Sequence, residues 1–492
     1  MAEVLQEGTV PMRSKHQGKL IGVLPPIYPE WLGSHDFISA FGGRFPYVVG
    51  EMARGISSAQ MVASAAAAGM LAFFGSAGLR IDETDTAIGQ IRAQLGPTAR
   101  NWGVNLIHSP QDLAAEMAFA ELAIKRHLSV VSASAFMRLS PAIVLLSAKG
   151  LKRRRDGTIE RPLQLFAKIS RAEVAKQFIL PPPEAILCDL VGSGKLSTEE
   201  AQLAAQLSVA EQVTVEADSG GHTDNRPLTV LLPLIASMAH EISLTHKYAT
   251  HPRIGAAGGL GTPVAIAAAF ALGADYVVTG SINQCALESG LSTDARSLLA
   301  EAKATDIAMA PAADMFERGV KVQVLKRGTL FAQRAQRLYD LYRRYQNLDD
   351  IPAREREELE SNLFGQPIEQ IWINTVAHFS KANPTELERA EHDPHHKMAL
   401  VFRWYLFMAS EWARQGVIER RHDYQIWCGP VVGGFNQWVR GSFLELSEQR
   451  SVVQIGLNLL EGAAQITRAH QLRLAGVSVP SSAYDFRPRR MR

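Results

Sequence analysis

RIGAAGGLGTPVAIAAAFALGADYVVTGS, residues 253–281, holds two short strands and the helix between them. The run RIGAAGG (253–259) is small and apolar, and its two final glycines end a strand. Pro263 suits the first turn of a helix, where a missing N–H costs nothing. Alanines carry that helix to Gly273, and YVVTGS (276–281) is the second strand. Strands joined through a helix in this way lie parallel in one sheet. The same theme recurs upstream in FPYVVG (45–50), LAFFGSAG (71–78), NWGVNLI (101–107), VVSASAFM (130–137), LQLFAKIS (163–170) and VTVEADSG (213–220). Stretches such as DLAAEMAFAELAIKRH (112–127) and LTVLLPLIASMAHEI (228–242) have apolar residues at helical spacing. Eight strands alternating with helices predict an α/β protein built on a closed (β/α)8 TIM barrel. A doubly wound sheet fits less well, because no GxGxxG opens a helix after the first strand.

Two connections are too long for simple barrel loops. Residues 138–162 carry a basic run, and residues 177–211 include PPP (181–183) and STEEAQ (197–202); both read as insertions. After Leu330 the pattern changes to amphipathic helices: 331–345, 354–364, 396–416 and 452–476. The expected division is therefore an N-terminal segment 1–40, a barrel 41–330 and an all-helical C-terminal region 331–492 ending in RPRRMR.

Composition narrows the function classes. The chain has 492 residues, 47% hydrophobic and 20% charged, with 51 basic against 49 acidic side chains. A net charge of +2 creates no global field for nucleic acid or a membrane surface. Cys188, Cys285 and Cys428 lie far apart without CxxC spacing, which predicts a reducing, cytoplasmic setting and no zinc site or disulfide framework. The first 15 residues, MAEVLQEGTVPMRSK, lack the apolar core of a signal peptide. Residues 55–79 and 254–274 are uncharged and long enough to cross a bilayer. Internal glycines and Pro263 divide them, so they read as buried strand–turn–helix units.

In a barrel, chemistry sits where the strands end. Gly258 and Gly259 follow the seventh strand, and Gly280 and Ser281 the eighth; bare backbone there suits a phosphate, although glycines also simply end strands. EADSGGHT (216–223) follows the sixth strand and puts His222 on a glycine loop, fit for proton transfer or merely for capping the next helix. Lys168 is a charge inside an apolar strand, meeting a ligand anion or a barrel carboxylate such as Glu216. Asn105 is a polar group in the third strand, either a ligand contact or a satisfied core amide. His392, His395 and His396 lack a matching carboxylate set and read as a solvated turn rather than a metal site. GSGK (192–195) is a turn, because the upstream glycine of a P-loop is missing.

The segments EADSGGH, AGGLGT (257–262) and YVVTGS resemble the FMN-binding barrel of nitronate monooxygenases and flavin-dependent enoyl-acyl-carrier-protein reductases. GEMARGISS (50–58), GVNLIHSP (103–110), EADSGGHTDNRP (216–227), DPHHKMALVFRWYL (393–406) and WCGPVVGGFNQWVRGS (427–442) are more closely similar to the PfaD-type proteins, from about residue 20 to 475. Those are trans-acting enoyl reductases of polyunsaturated fatty acid and trans-acyltransferase polyketide synthases. The resemblance implies FMN with its phosphate on Gly258, Gly259, Gly280 and Ser281, and Gly50, Glu51 and Met52 facing the flavin ring. It further implies Asn105 and Lys168 at the polar edge of the ring, Asp218, Gly220 and Gly221 in the cofactor loop, and His222 as the catalytic residue. Asp218-Ser219 stands where the relatives usually have Glu-Ala. NADPH or NADH would be co-substrate, a 2-enoyl thioester on an acyl carrier protein the substrate, and a homodimer the expected assembly. The basic run Lys152, Arg153, Arg154 and Arg155, placed after strand four, would steer the acidic carrier protein. A nitronate monooxygenase-like flavin oxidase and a non-catalytic docking component of a synthase are the alternatives.

Overall fold

The computed structural model describes residues 24–491, so the stretch 1–15, expected to carry no signal peptide, lies outside the described residues. Eight parallel strands close a barrel: β1 Tyr47–Val49, β2 Leu71–Phe74, β3 Trp102–Ile107, β4 Val130–Ser134, β5 Gln164–Ile169, β6 Gln212–Glu216, β7 Arg253–Ala257 and β8 Tyr276–Thr279. Closure comes from β1 on β8, with Tyr47 opposite Val277. These are the eight strands expected from the sequence. Both faces of each strand are covered, so β2 and β4 are buried at every position.

Alternate residues divide between two packed layers. Val48, Leu71, Phe73, Phe166 and Tyr276 point into the barrel and form one cluster, while Tyr47, Val49, Ala72 and Phe74 face the surrounding helices. Gly255 leaves room for the Tyr276 ring, which a Cβ there would approach to 2.2 Å. The floor is closed by the helix His35–Phe41, whose Phe37 stacks on Tyr276 with ring centroids 4.5 Å apart. From His35 onward the expected N-terminal segment is thus part of the barrel core.

The expected boundary at residue 330 does not hold. From Cys285 to Val432 the chain builds a second hydrophobic core. It contains the antiparallel hairpin Ile307–Pro311/Lys321–Leu325 and the helices Phe331–Arg344, Ile368–Ala382 and Pro394–Gln415. The chain then returns, and the last long helix, Val452–Leu474, joins the barrel core beside the helices Pro263–Ala271 and Ala59–Ala67. Gly456 lies against Met70 and Tyr47, and Gly462 against Pro263, each too close for a Cβ. Residues 285–432 are therefore inserted between β8 and the helix that completes its β/α unit. An amphipathic pattern shows that a helix has a covered face, not what covers it.

The two early insertions also find their place. Residues 138–162 hold the barrel helix Pro141–Ala148 and a hairpin, Lys152–Arg153/Ile159–Glu160, that runs into the start of β5. The helices Glu184–Gly192 and Thr198–Ala204 lead into β6, and Glu200 accepts from the Gly150 N–H at 2.7 Å. Both insertions thus flank the N-terminal ends of the strands. The basic run 152–155 sits there, not at the barrel mouth, with Arg154 paired to Glu160 at 3.0 Å. Its expected role in steering a carrier protein loses its geometric basis. The helix Leu228–His246 is long and apolar enough to cross a membrane, but it lies between β6 and β7 as a barrel helix and 33% of its apolar stretch is buried.

Candidate active site

The C-terminal ends of the strands open into a cavity of about 860 Å³ that the inserted unit roofs over. Gly50, Glu51 and Met52 reach it from the loop after β1, Asn105 from β3, Lys168 from β5, and Gly220, Gly221 and His222 from the loop after β6. Gly258, Gly259, Gly280 and Ser281 complete the barrel side, and Asp314, Phe407 and Trp427 stand among the roof residues. Of the catalytic and cofactor residues expected from the sequence, Asp218 alone does not border this space.

Glycine chemistry shapes one wall. Gly258 has φ +91°, and a Cβ there would come within 2.8 Å of the Ala217 carbonyl carbon. Only glycine lets the loops after β6 and β7 approach so closely. At Gly259, with φ +72°, and at Gly280 a Cβ would meet nothing within 4 Å, so bare backbone faces open space. Such a cradle fits a phosphate group. Gly220 has a different reason: its Cβ would lie 2.9 Å from the Cys428 backbone, so this glycine seats the loop against the roof.

A charged centre lies beside the cradle. The Lys168 ammonium is 3.3 Å from both Glu51 and Glu216, and Ser132 Oγ donates to Glu51 at 3.0 Å. Burial alone would lower the lysine pKa; the two carboxylates outweigh it and hold it above the ordinary value. The salt bridge to Glu216 is therefore present and extended by Glu51, so the ammonium is shared before any ligand arrives. Asn105 is a satisfied core amide at the cavity edge. Its Oδ1 accepts from the Ser76 and Ala77 N–H groups at 2.9 and 3.3 Å, and its Nδ2 donates to Ser134 Oγ at 3.3 Å.

His222 contacts the roof. Its Nε2 lies 3.1 Å from Asp314 Oδ1, on the turn of the inserted hairpin. Burial pulls the imidazole pKa down, but the Asp314 carboxylate and the charge of Glu216 outweigh this and hold it above the usual histidine value. Asp218 turns away and accepts from Gln323 Nε2 at 2.6 Å, which ties the loop after β6 to the same hairpin. This cross-link takes the place of the cofactor contact expected for Asp218, because the Gln323 amide draws its carboxylate away from the cavity.

Sequence reasoning passed over several groups. Arg54, at φ +59°, crosses from the loop after β1 to the roof, pairing with Glu411 and lying 4.0 Å over the Phe407 ring. His108, in the segment GVNLIHSP, borders the cavity and pairs with buried Glu116 at 2.9 Å. Asp314 belongs to no motif, and nothing in AADMFERG marks it. The histidine cluster is also not a solvated turn throughout. His392 is exposed, but His395 stacks on Tyr342 at 3.9 Å, and His396 is buried between Glu317 and Glu386, at 2.9 and 3.0 Å. Glu317 stands 79 residues from His396 in sequence, and Glu386 sits on the preceding helix.

Comparison with known proteins places this geometry. Residues 37–346 match the nitronate monooxygenase family, and residues 345–424 match the inserted helical domain of [acyl-carrier-protein] S-malonyltransferase. A polyunsaturated fatty acid synthase component of Thraustochytrium is 41% identical over 95% of this chain and 32% of its own length. Polyketide biosynthesis protein PksE of Bacillus subtilis is 42% identical over 96% of this chain and 61% of its own. The chain thus spans from about a third to three-fifths of these two relatives. The crystal structure of the enoyl reductase domain of MlnA, from the macrolactin biosynthesis cluster of Bacillus amyloliquefaciens, superposes with a TM-score of 0.86 at 36% identity, covering 91% of this chain and 100% of that one. By its barrel, its inserted unit and these similarities, the chain belongs to the nitronate monooxygenase family and, within it, to the PfaD-type proteins.

Proposed function

We propose that the chain is an FMN-dependent enoyl reductase that saturates the 2,3 double bond of enoyl thioesters on an acyl carrier protein, with NADPH or NADH as hydride source. The observation that carries this reading is a single roofed cavity holding both a bare-backbone cradle and a positioned imidazole. Similarity to an enoyl reductase domain over its whole length supports the reaction, and similarity to synthase proteins supports the carrier protein as partner. A cytoplasmic location accords with both.

The residues fit the cofactor. Gly258, Gly259, Gly280 and Ser281 would hold the phosphate, with Gly50, Glu51 and Met52 along the ring. Bound there, FMN supplies the hydride that adds to Cβ of the enoyl thioester. The protein's own groups do the rest. The roof excludes water, which would otherwise compete for the reactive centre. Lys168, held by Glu51 and Glu216, contributes a fixed and screened charge and not a mobile one. His222, which borders the cavity, would give a proton to Cα of the enolate, so that hydride and proton together saturate the bond.

The test is a spectrum followed by a reaction. Purified protein should show flavin absorption after FMN is added, and under anaerobic conditions should consume one NADPH per carrier-bound crotonyl group saturated. Protein that stays colourless with FMN would be a docking component. Oxygen-dependent turnover of a nitronate without enoyl reduction would make it an oxidase.

A further inference from the structure

We infer that Asp314, a residue of the inserted unit and not of the barrel, is a positioning residue that orients His222 as the proton donor; the inference rests on the enoyl reductase reading. An ionised carboxylate only accepts, so the Asp314 contact at 3.1 Å requires Nε2 to carry its hydrogen. The other ring nitrogen, Nδ1, then has no partner among the described residues while the ring borders the cavity. The donor atom is therefore Nδ1–H.

The contact is built into the fold at more than one point. Asp314 sits on the turn between Ile307–Pro311 and Lys321–Leu325, and the second of these strands carries Gln323, which is bonded to Asp218 four residues before His222. Gly220 is pressed on the Cys428 backbone at the same junction. The loop that bears the histidine is thus bonded to the hairpin that bears the aspartate through Gln323, and packs on Cys428, whose N–H donates to the Gln323 carbonyl at 3.2 Å. The charged groups facing His222 are Asp314 and Glu216, whose charge is shared with Lys168; Arg403 faces Asp314.

In the reaction, two electrons arrive at Cβ with the hydride, the C=C π pair becomes the enolate, and the proton passes from Nδ1 to Cα. The imidazole is left neutral and takes a proton back from water. A general acid acts only when protonated, so activity is present below its pKa and lost as pH rises through it. Asp314 holds that pKa up, so removing its charge moves the loss to lower pH.

Asp314→Asn keeps the shape and an accepting oxygen but removes the charge. In the full chain with FMN bound, the alkaline limb of kcat against pH should move to lower pH. At pH values above the displaced limb kcat should fall about tenfold, a fraction of the ~10²–10⁴ that a positioned acid contributes. KM should stay within about twofold, and Asp314→Glu should restore the limb. In parallel, the His222 ring signal of ¹³C-histidine-labelled protein, assigned by its loss in His222→Ala, should titrate at lower pH in Asp314→Asn than in the parent. An unmoved titration overturns the pairing, and a moved titration with an unmoved kcat limb overturns the positioning role. If the parent reduces no enoyl thioester, the function reading fails and the positioning role fails with it, whatever the titration shows.

Discussion

The two ends of the barrel are made from the same eight strands and could hardly be less alike. At the floor, Phe37, Phe41, Phe73, Phe166 and Tyr276 pack ring against ring, dry and uncharged. At the mouth, a few residues further along each strand, stand a lysine between two glutamates, a histidine on an aspartate and the three glycines of the cradle. Positive φ at non-glycine residues occurs at both ends: Arg54, Ala135 and Asn225 lie on loops that follow β1, β4 and β6, while His127 and Lys247 precede β4 and β7. Non-glycine residues in that region persist only where the surroundings enforce them. Stability is concentrated at one end, so polar groups that contribute little to it can be assembled at the other.

Substitutions at the two ends should separate these properties. The largest effect is expected from His222→Ala at the mouth: turnover of the enoyl thioester should fall by ~10²–10⁴, with flavin absorption and the unfolding midpoint unchanged. Equal turnover in a flavin-loaded variant would remove His222 from the chemistry. Phe37→Ala at the floor should do the opposite, costing about 3–5 kcal/mol in denaturant unfolding while kcat per folded molecule stays at the parent value. A floor variant that lost activity without losing stability would break the division.

Gly259→Asp should weaken FMN binding by about a hundredfold or more in a fluorescence titration. Two unit charges ~4 Å apart repel by about 4 kcal/mol at an effective dielectric of ~20, and φ +72° adds strain for any side chain. Full binding to a folded variant would put the phosphate elsewhere. The smallest effect is expected from replacing Lys152, Arg153, Arg154 and Arg155 together by serine. Because this run lies at the floor end, KM for a carrier-bound substrate should change less than about twofold, as for a small pantetheine thioester, since surface charge at a distance is largely screened. A rise confined to the carrier-bound substrate would show that the carrier uses the far end after all.

The strands and the mouth were legible in the sequence because both depend on local signals. Apolar runs ending in glycine, such as RIGAAGG, mark a strand and its loop within a few residues. The same signals located His222 and, in the cradle, Gly258, Gly259, Gly280 and Ser281. They could not orient a side chain: Asp218 and His222 lie on one loop, and only the tertiary position of Gln323 sends the first away from the cavity. Nor could they pair residues far apart. Asp314 and Glu411 act across the boundary between two cores, and no spacing within AADMFERG or ASEWARQ reports it. The helix Val452–Leu474 was read correctly as a helix and assigned to the wrong body for the same reason.

That helix has a consequence for the order in which the molecule is made. On the ribosome, β8 emerges with residues 280–451 still to follow before the helix that covers Tyr47 and Met70 exists. At synthesis rates of 5–20 residues per second this leaves the seam between β1 and β8 uncovered for about 10–30 s. The roof is complete within that interval, so the cavity receives its lid before the barrel receives its last stave.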